Sequence, residues 1–143
     1  MRARSTRSST AASFVDTSYW IALQSRRDAR HPDAAQIWRS GPGRMVTTNH
    51  VLGETWTFLR RAADHVTATG FLDRFHRLES VAVHHVDRGL EDEAWEWLRR
   101  HDEREYSFVD ATSFALMRQL RLREALAFDG DFSAAGFVEV RAA

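Results

Sequence analysis

Short strand-like runs that alternate with longer helical stretches constrain the fold of this chain most strongly. Residues 44–48 (RMVTT) and 81–86 (VAVHHV) are rich in β-branched side chains, and they have the length of strands. Between them, apolar side chains recur at helical spacing from Val51 to Leu59. Strands separated by helices of about ten or more residues imply a mostly parallel central sheet flanked by helices on both faces. The sequence therefore predicts an α/β fold.

The same patterns place the remaining elements of the predicted fold. Strands are predicted at residues 13–16, 44–48, 81–86, 125–128 and 137–140. Helices are predicted after Asp16, from His31 to the glycines at 41 and 43, and over residues 51–61, 68–79, 90–98 and 107–120.

Length and composition indicate one compact domain. A chain of 143 residues with 43% apolar content can fill a single core. We predict one domain over residues 13–143, preceded by a disordered basic tail at residues 1–12 that carries Arg2, Arg4 and Arg7. No apolar run approaches the roughly eighteen residues of a membrane helix, so no membrane association is expected. The absence of cysteine excludes thiol catalysis, and the cytoplasm is the expected compartment.

The charge balance limits how the chain can meet a nucleic acid. Twenty basic residues offset twenty acidic ones, so any affinity for RNA must arise locally. Every basic residue is arginine, which excludes mechanisms that need lysine. Arginine remains well suited to phosphate, because its planar fork can bind two oxygens at once.

Several acidic residues follow predicted strands. Asp16 ends the first strand, and Asp129 and Asp131 follow the strand that begins near residue 125. In an open parallel sheet, ligands bind beyond the carboxyl ends of the strands, so these three carboxylates are candidate site residues. Glu54 lies three residues after Val51 and four before Phe58, which predicts that it shares their apolar stripe and needs a compensating cation.

Each acid also has a structural interpretation. Asp16 fits a helix N-cap, and Asp110 fits the N3 position of a capping box with Ser107. Glu54 could instead pair with Arg60 or Arg61 at the edge of its stripe. Asp129 and Asp131 flank Gly130, and Asp-Gly is a standard turn dipeptide. Taken together, however, carboxylates that converge at one sheet edge would repel unless they shared a hard divalent cation such as Mg²⁺ or Mn²⁺.

Four segments in order resemble the motifs of the PIN-domain family, specifically its VapC-type toxins. They are residues 14–18, FVDTS; residues 47–55, TTNHVLGET; residues 106–113, YSFVDATS; and residues 127–132, AFDGDF. The resemblance extends from about Ser13 to Val140 and implies a single PIN-like domain.

The resemblance also implies an activity and a set of site residues. It implies a metal-dependent endoribonuclease, the toxin of a type II toxin–antitoxin pair, that hydrolyses RNA through metal-activated water and leaves 5′-phosphate and 3′-hydroxyl ends. The implied catalytic and metal-binding residues are Asp16, Glu54, Asp110 and Asp129. Asp131 is a further candidate metal ligand, where the family often has His or Asn.

Supporting residues and partners follow from the same resemblance. Thr17, Asn49 and Ser113 are predicted to donate hydrogen bonds that orient the carboxylates. Mg²⁺ is the implied cofactor, with Mn²⁺ as a substitute. RNA, a small cognate antitoxin and a second copy of the chain are the implied partners.

Two other functions compete with the nuclease. A phosphatase or dehalogenase of the Asp-x-Asp type is disfavoured, because its motif follows the first strand and its mechanism generally uses the lysine that this chain lacks. The second alternative is a PIN-like module that binds RNA or protein without cleavage.

Overall fold

The computed structural model describes residues 11–143, which form five strands and seven helices. The strands are β1 (Ala12–Val15), β2 (Arg44–Thr48), β3 (Val81–His84), β4 (Glu124–Leu126) and β5 (Val138–Glu139). The helices are α1 (Thr17–Gln24), α2 (His31–Arg39), α3 (Asn49–Ala62), α4 (His65–His76), α5 (Arg88–Arg100), α6 (Phe108–Leu120) and α7 (Asp131–Ala134).

The strands form one sheet in the order β3-β2-β1-β4-β5, and every pairing is parallel. The predicted mostly parallel sheet is therefore confirmed. The chain moves outward from β1 to β3 and then crosses back to β4 on the other side of β1. Because parallel crossovers are right-handed, this reversal puts α1–α4 on one face and α5–α7 on the other. The helix contacts agree, since α1 packs on α2 and α3, and α6 packs on α5 and α7.

Aromatic clusters cover both faces of the central strand. On one side, the buried Trp20 contacts three rings of the surrounding helices: Trp38, Phe71 and Phe75. On the other side, the fully buried Phe114 contacts Trp97, Phe132 and Phe137. Phe14 of β1 stacks on Phe132 at 5.9 Å between ring centroids, so the short helix α7 is fastened to the centre of the sheet.

Several element boundaries differ from the predictions: β3 ends at His84 and not at residue 86, α4 ends at His76 and not at residue 79, and α5 spans Arg88–Arg100 and not residues 90–98. Helix α4 begins at His65 and not near residue 68, because Asp64 caps it by accepting a hydrogen bond from the Thr67 backbone N–H at 2.7 Å. Strand β4 ends at Leu126, two residues before the predicted end. Helix α7 was not predicted, since its four residues are too few to show a helical period.

At the amino-terminal end, β1 begins at Ala12, which pairs with Arg44. The first strand thus starts one residue inside the predicted tail. Residues 1–10 of that tail lie outside the described residues, so the tail and the domain boundary stay predictions. Within residues 11–143, no helix has the length and apolar character needed to cross a bilayer.

Candidate active site

The crevice of the sheet opens between β1 and β4. These neighbouring strands feed helices on opposite faces, which is the topological arrangement that leaves a ligand-binding crevice beyond their carboxyl ends. Asp16 directly follows β1, and its backbone N–H donates to the Leu126 carbonyl at 3.0 Å. Asp129 follows β4 after two residues. Two of the three carboxylates predicted at strand ends, Asp16 and Asp129, therefore lie at this crevice.

A third and a fourth carboxylate complete an acidic cluster. Asp110 lies in the first turn of α6 and is 8% exposed. Carboxylate oxygens of Asp110, Asp129 and Asp131 all lie within 4.8 Å of one another. Asp16 lies beside the same group, because Ser18 Oγ donates to Asp16 Oδ2 and accepts from the backbone N–H of Phe128, which directly precedes Asp129. The charges of Asp129 and Asp110 raise the pKa of Asp16. The fold thus brings together acids that are separated by more than ninety positions in the sequence.

The acidic cluster holds protons more strongly than ordinary carboxylates do. Burial, followed by the charge of Asp129, raises the pKa of Asp16 from 3.8 to about 8. Burial also raises the pKa of Asp110 to about 6, with smaller contributions from the charges of Asp131 and Asp129. The pKa of Asp129 is raised as well, mainly by burial and then by the charges of Asp131 and Glu139. Bringing all of these groups to the charged form is therefore costly without a compensating cation.

The structural interpretations of these acids hold too, but they occupy only one oxygen of each carboxylate. Asp16 Oδ2 accepts from the Ser18 backbone N–H at 3.1 Å and caps α1. Asp110 Oδ2 accepts from the Ser107 N–H at 3.0 Å in a capping box. Asp129 Oδ1 accepts from the Asp131 N–H at 3.1 Å. Within the described residues, the second oxygen of each of these three acids has no hydrogen bond. The caps thereby fix the carboxylates and leave one oxygen of each for a ligand.

Asp131 differs from the other acids because an arginine already compensates its charge. Arg104 Nη2 lies 2.9 Å from Asp131 Oδ1, and Arg104 Nε donates to the same oxygen at 3.0 Å. The guanidinium also donates to the Asp129 carbonyl at 3.3 Å. Arg104 therefore holds the Asp129–Asp131 turn in place. Sequence reasoning missed it, because no pattern links the α5–α6 connection to a turn more than twenty residues later.

Glu54 lies at the rim of the crevice and not in a buried stripe. The prediction that it shares an apolar face with Val51 and Phe58 is wrong, since Glu54 is exposed and Phe58 is 47% exposed. The buried stripe of α3 consists of Val51, Thr55 and Leu59. Glu54 Oε1 accepts a hydrogen bond from Thr17 Oγ1 at 2.6 Å, and Thr17 directly follows Asp16. Glu54 makes no salt bridge within residues 11–143, so the pairing with Arg60 or Arg61 is not formed.

The three predicted supporting donors have different partners. Thr17 donates to Glu54, a predicted site carboxylate. The side-chain oxygen of Asn49 instead accepts from the Val86 N–H at 2.8 Å and ties the start of α3 to the chain after β3. Ser113 Oγ donates to the Val109 carbonyl of its own helix at 2.8 Å. The described contacts of Asn49 and Ser113 thus join backbone groups, and their role in orienting site carboxylates stays a prediction.

Two further residues at the crevice were not predicted from the sequence. Ser18 Oγ donates to Asp16 Oδ2 at 2.7 Å and accepts from the Phe128 N–H at 3.0 Å, so one hydroxyl links the ends of β1 and β4. Glu139 is 5% exposed, and its Oε2 accepts from the Ser133 N–H of α7 at 3.1 Å. Ser18 lies in the first motif, but only the folded pairing of the strands shows its second contact.

Comparison with known proteins settles the family. A model of the PIN domain matches residues 13–138, which is most of the chain. The chain belongs to the PIN-domain family. The 23S rRNA-specific endonuclease VapC20 of Mycobacterium tuberculosis is 60% identical to it over 129 residues, which are 90% of this chain and 97% of that protein. The predicted resemblance to VapC-type PIN domains is thereby confirmed.

Two solved structures agree with the fold. The crystal structure of M. tuberculosis VapC20, described as a sarcin–ricin-loop-cleaving toxin, matches with a TM-score of 0.86 at 56% identity. The match covers 92% of this chain and 99% of that one. A chain from a toxin–antitoxin complex of Klebsiella pneumoniae matches with a TM-score of 0.55 at 15% identity, over 79% of this chain and 82% of that one. At that identity, the likeness concerns the PIN fold alone.

Proposed function

We propose that this PIN-domain protein is a metal-dependent endoribonuclease and the toxin of a type II toxin–antitoxin system. The observation that carries the proposal is the convergence of Asp16, Asp110 and Asp129 at the carboxyl edge of a parallel sheet, each with one oxygen free. The 60% identity to a protein named as a 23S rRNA-specific endonuclease supports the same conclusion. A chain that only bound RNA would gain nothing from crowding these carboxylates, of which Asp16 and Asp110 are buried.

The residues at the crevice fit a hard divalent cation. All candidate ligands are carboxylate oxygens, which suit Mg²⁺ and Mn²⁺, and histidine and cysteine are absent from the cluster of Asp110, Asp129 and Asp131. Asp16, Asp110 and Asp129 are the proposed principal ligands. Asp131 is proposed as an outer contributor, because Arg104 competes for its oxygen. When bound, the cation would compensate the carboxylates and lower the pKa of the attacking water.

The remaining site residues act through position. Ser18 fixes Asp16 relative to the end of β4, and Arg104 fixes the turn that carries Asp129. Thr17 holds Oε1 of Glu54, while Oε2 has no hydrogen bond within the described residues. We propose that the free Oε2 of Glu54 contributes to the metal site, as the family resemblance implies.

The relatives suggest the RNA that is cut and the partners of the protein. VapC20 is named for 23S rRNA and described as cleaving the sarcin–ricin loop. We propose that loop as the substrate of this chain as well. A small cognate antitoxin and a homodimer are proposed from the family resemblance, and the cytoplasm is proposed because ribosomal RNA is found there.

A cleavage assay on a synthetic sarcin–ricin hairpin tests the proposal. We expect the wild type to cut the hairpin with Mg²⁺ or Mn²⁺ and to be inactive in EDTA. Asp16→Asn and Asp129→Asn should lose most of the activity, while Asp73→Asn, an exposed acid of α4, should retain it. Equal cutting by Asp16→Asn and the wild type would refute the catalytic site. No metal-dependent cutting of the hairpin or of whole ribosomes by the wild type would leave the binding module as the better account.

A further inference from the structure

An acidic cleft must still attract a polyanion, and one arginine beside it is placed to do so. Arg30 lies in the α1–α2 connection and donates from Nη1 to the Phe128 carbonyl at 3.1 Å. Its guanidinium carbon lies 5.4 Å from the centroid of the Phe128 ring, in cation–π distance. Phe128 directly precedes Asp129. The two contacts therefore hold the guanidinium next to the acidic cluster, although the side chain itself is exposed.

Arg30 is free to bind an anion, whereas Arg104, which also contacts the chain around Asp129, is not. Arg104 contacts the same short segment, but Asp131 takes up its charge at 2.9 Å. Arg30 forms no salt bridge with any carboxylate of residues 11–143. The nearby Asp28 carboxylate accepts the backbone N–H of Arg30 at 2.8 Å, and not the guanidinium. The remaining guanidinium N–H groups can therefore bind two oxygens of one phosphate.

An exposed aromatic ring forms another wall of the same pocket. The pocket has a volume of about 290 Å³ and is lined by Ser18, Ile21, Asp28, Arg30, Phe58, Phe128 and Asp129. Phe58 is 47% exposed, so part of its ring is open to solvent. It also lines the adjoining groove that contains Glu54. Phe58 thus lies between the pocket that contains Arg30 and the groove that contains Glu54.

We propose that Arg30 and Phe58 form a subsite for one nucleotide of the RNA substrate beside the scissile bond. Arg30 binds the phosphate of that nucleotide, and the face of Phe58 stacks on its base. The pocket is near the lower limit of small-ligand sites, about 300 Å³, which suits one nucleotide and not a duplex. The negative charge of Asp28, which lines the same pocket, repels phosphate. Arg30 is therefore the position in the pocket that favours it. This inference rests on the proposed endoribonuclease function.

Binding of a labelled sarcin–ricin hairpin tests the Arg30 half of the subsite. Affinity is measured by fluorescence anisotropy in an Asp16→Asn background, with Mg²⁺, between about 50 and 200 mM salt. Loss of one phosphate contact should reduce the slope of log affinity against log salt by about 0.7. We expect this reduction for Arg30→Ala and a partial one for Arg30→Gln. Arg27→Ala, an exposed arginine of the same connection that does not line this pocket, is the matched control and should keep the slope.

Two substitutions of Phe58 distinguish stacking of its ring on a base from a contact that any large apolar side chain could make. Phe58→Leu should weaken binding of the hairpin by at least about fivefold without changing the salt slope, while Phe58→Trp should retain the affinity. The side chains of Arg30 and Phe58 are exposed, so the Arg30 and Phe58 variants should keep the melting temperature of the parent protein. An unchanged slope for Arg30→Ala, or equal affinity for Phe58→Leu and the parent, overturns the subsite. If the wild type neither cuts nor binds the hairpin, the proposed function fails. If the wild type does both, and the Arg30 and Phe58 variants bind like their Asp16→Asn parent, only the subsite fails.

Discussion

Asp16→Asn is expected to stabilise the metal-free protein at alkaline pH, although it removes a proposed catalytic residue. Asp16 is 3% exposed, and burial together with the charge of Asp129 raises its pKa from 3.8 to about 8. Between pH 3.8 and about pH 8, the folded protein keeps a proton on Asp16 that the unfolded chain has released. The free energy of unfolding of the wild type therefore falls as the pH rises from about 4 to 8.

The size of the effect follows from the same pKa difference. At about 1.4 kcal/mol per pH unit, the loss from Asp16 is at most about 6 kcal/mol when the pH reaches 8. Asparagine carries no charge, and its carbonyl can still accept the two Ser18 hydrogen bonds. Its amide N–H groups need new partners, at a cost of about 1–3 kcal/mol. The net expectation at pH 8 is a gain of about 3 kcal/mol for the variant.

Urea unfolding in EDTA at about pH 5 and pH 8 measures the prediction. The cost of the amide is the same at both pH values, so the advantage of Asp16→Asn over the wild type should grow by about 4 kcal/mol between them. Asp73→Asn, at an exposed position, should show no such growth. Saturating Mn²⁺ binds only the folded site and so stabilises the folded protein. It should stabilise the wild type more than Asp16→Asn, because the variant lacks one of the proposed carboxylate ligands. An advantage that is independent of pH, or a variant less stable than the wild type at pH 8, would refute the reasoning.

Three further substitutions probe the support of the site. Thr17→Val removes the 2.6 Å hydrogen bond to Glu54 and should lower kcat by about tenfold or more with little change in KM, as measured by initial rates on the hairpin. Phe132→Ala opens a cavity beneath α7 and should cost about 3–5 kcal/mol of unfolding free energy in urea. Ser107→Ala removes one half of the capping box that holds Asp110 and should cost about 1 kcal/mol in the same assay.

Each of these three expectations has a contrary result. An unchanged kcat for Thr17→Val would mean that Glu54 needs no positioning by that hydroxyl. A loss below about 1 kcal/mol for Phe132→Ala would mean that α7 is not anchored to the core through this ring. A Ser107→Ala protein as stable as the wild type would show that the cap contributes nothing beyond what water supplies.

The sequence alone determined the class of the fold and the identity of the acids. Alternating periods of two and 3.6 residues are a local property, and they predicted the parallel sheet and most of its elements, including β2 at its observed bounds. Strand ends marked Asp16 and Asp129 as candidate site residues, and the resemblance of four segments to the PIN-domain motifs implied Glu54 and Asp110 beside them. Local patterns failed at α7, which is shorter than the period needed to detect it.

Tertiary structure decided what each acid contacts and which charges are left free. Burial cannot be assigned to Glu54 from its spacing, because the stripe that faces the core depends on how α3 is rotated against the sheet. The pairing of Arg104 with Asp131, and the placement of Arg30 over Phe128, join positions that are far apart in the chain. Such contacts depend on three-dimensional packing and on the competition between charges, neither of which has a periodic signature in sequence. The raised pKa of Asp16 has the same origin, since desolvation exists only once the surrounding strands and helices have closed around it.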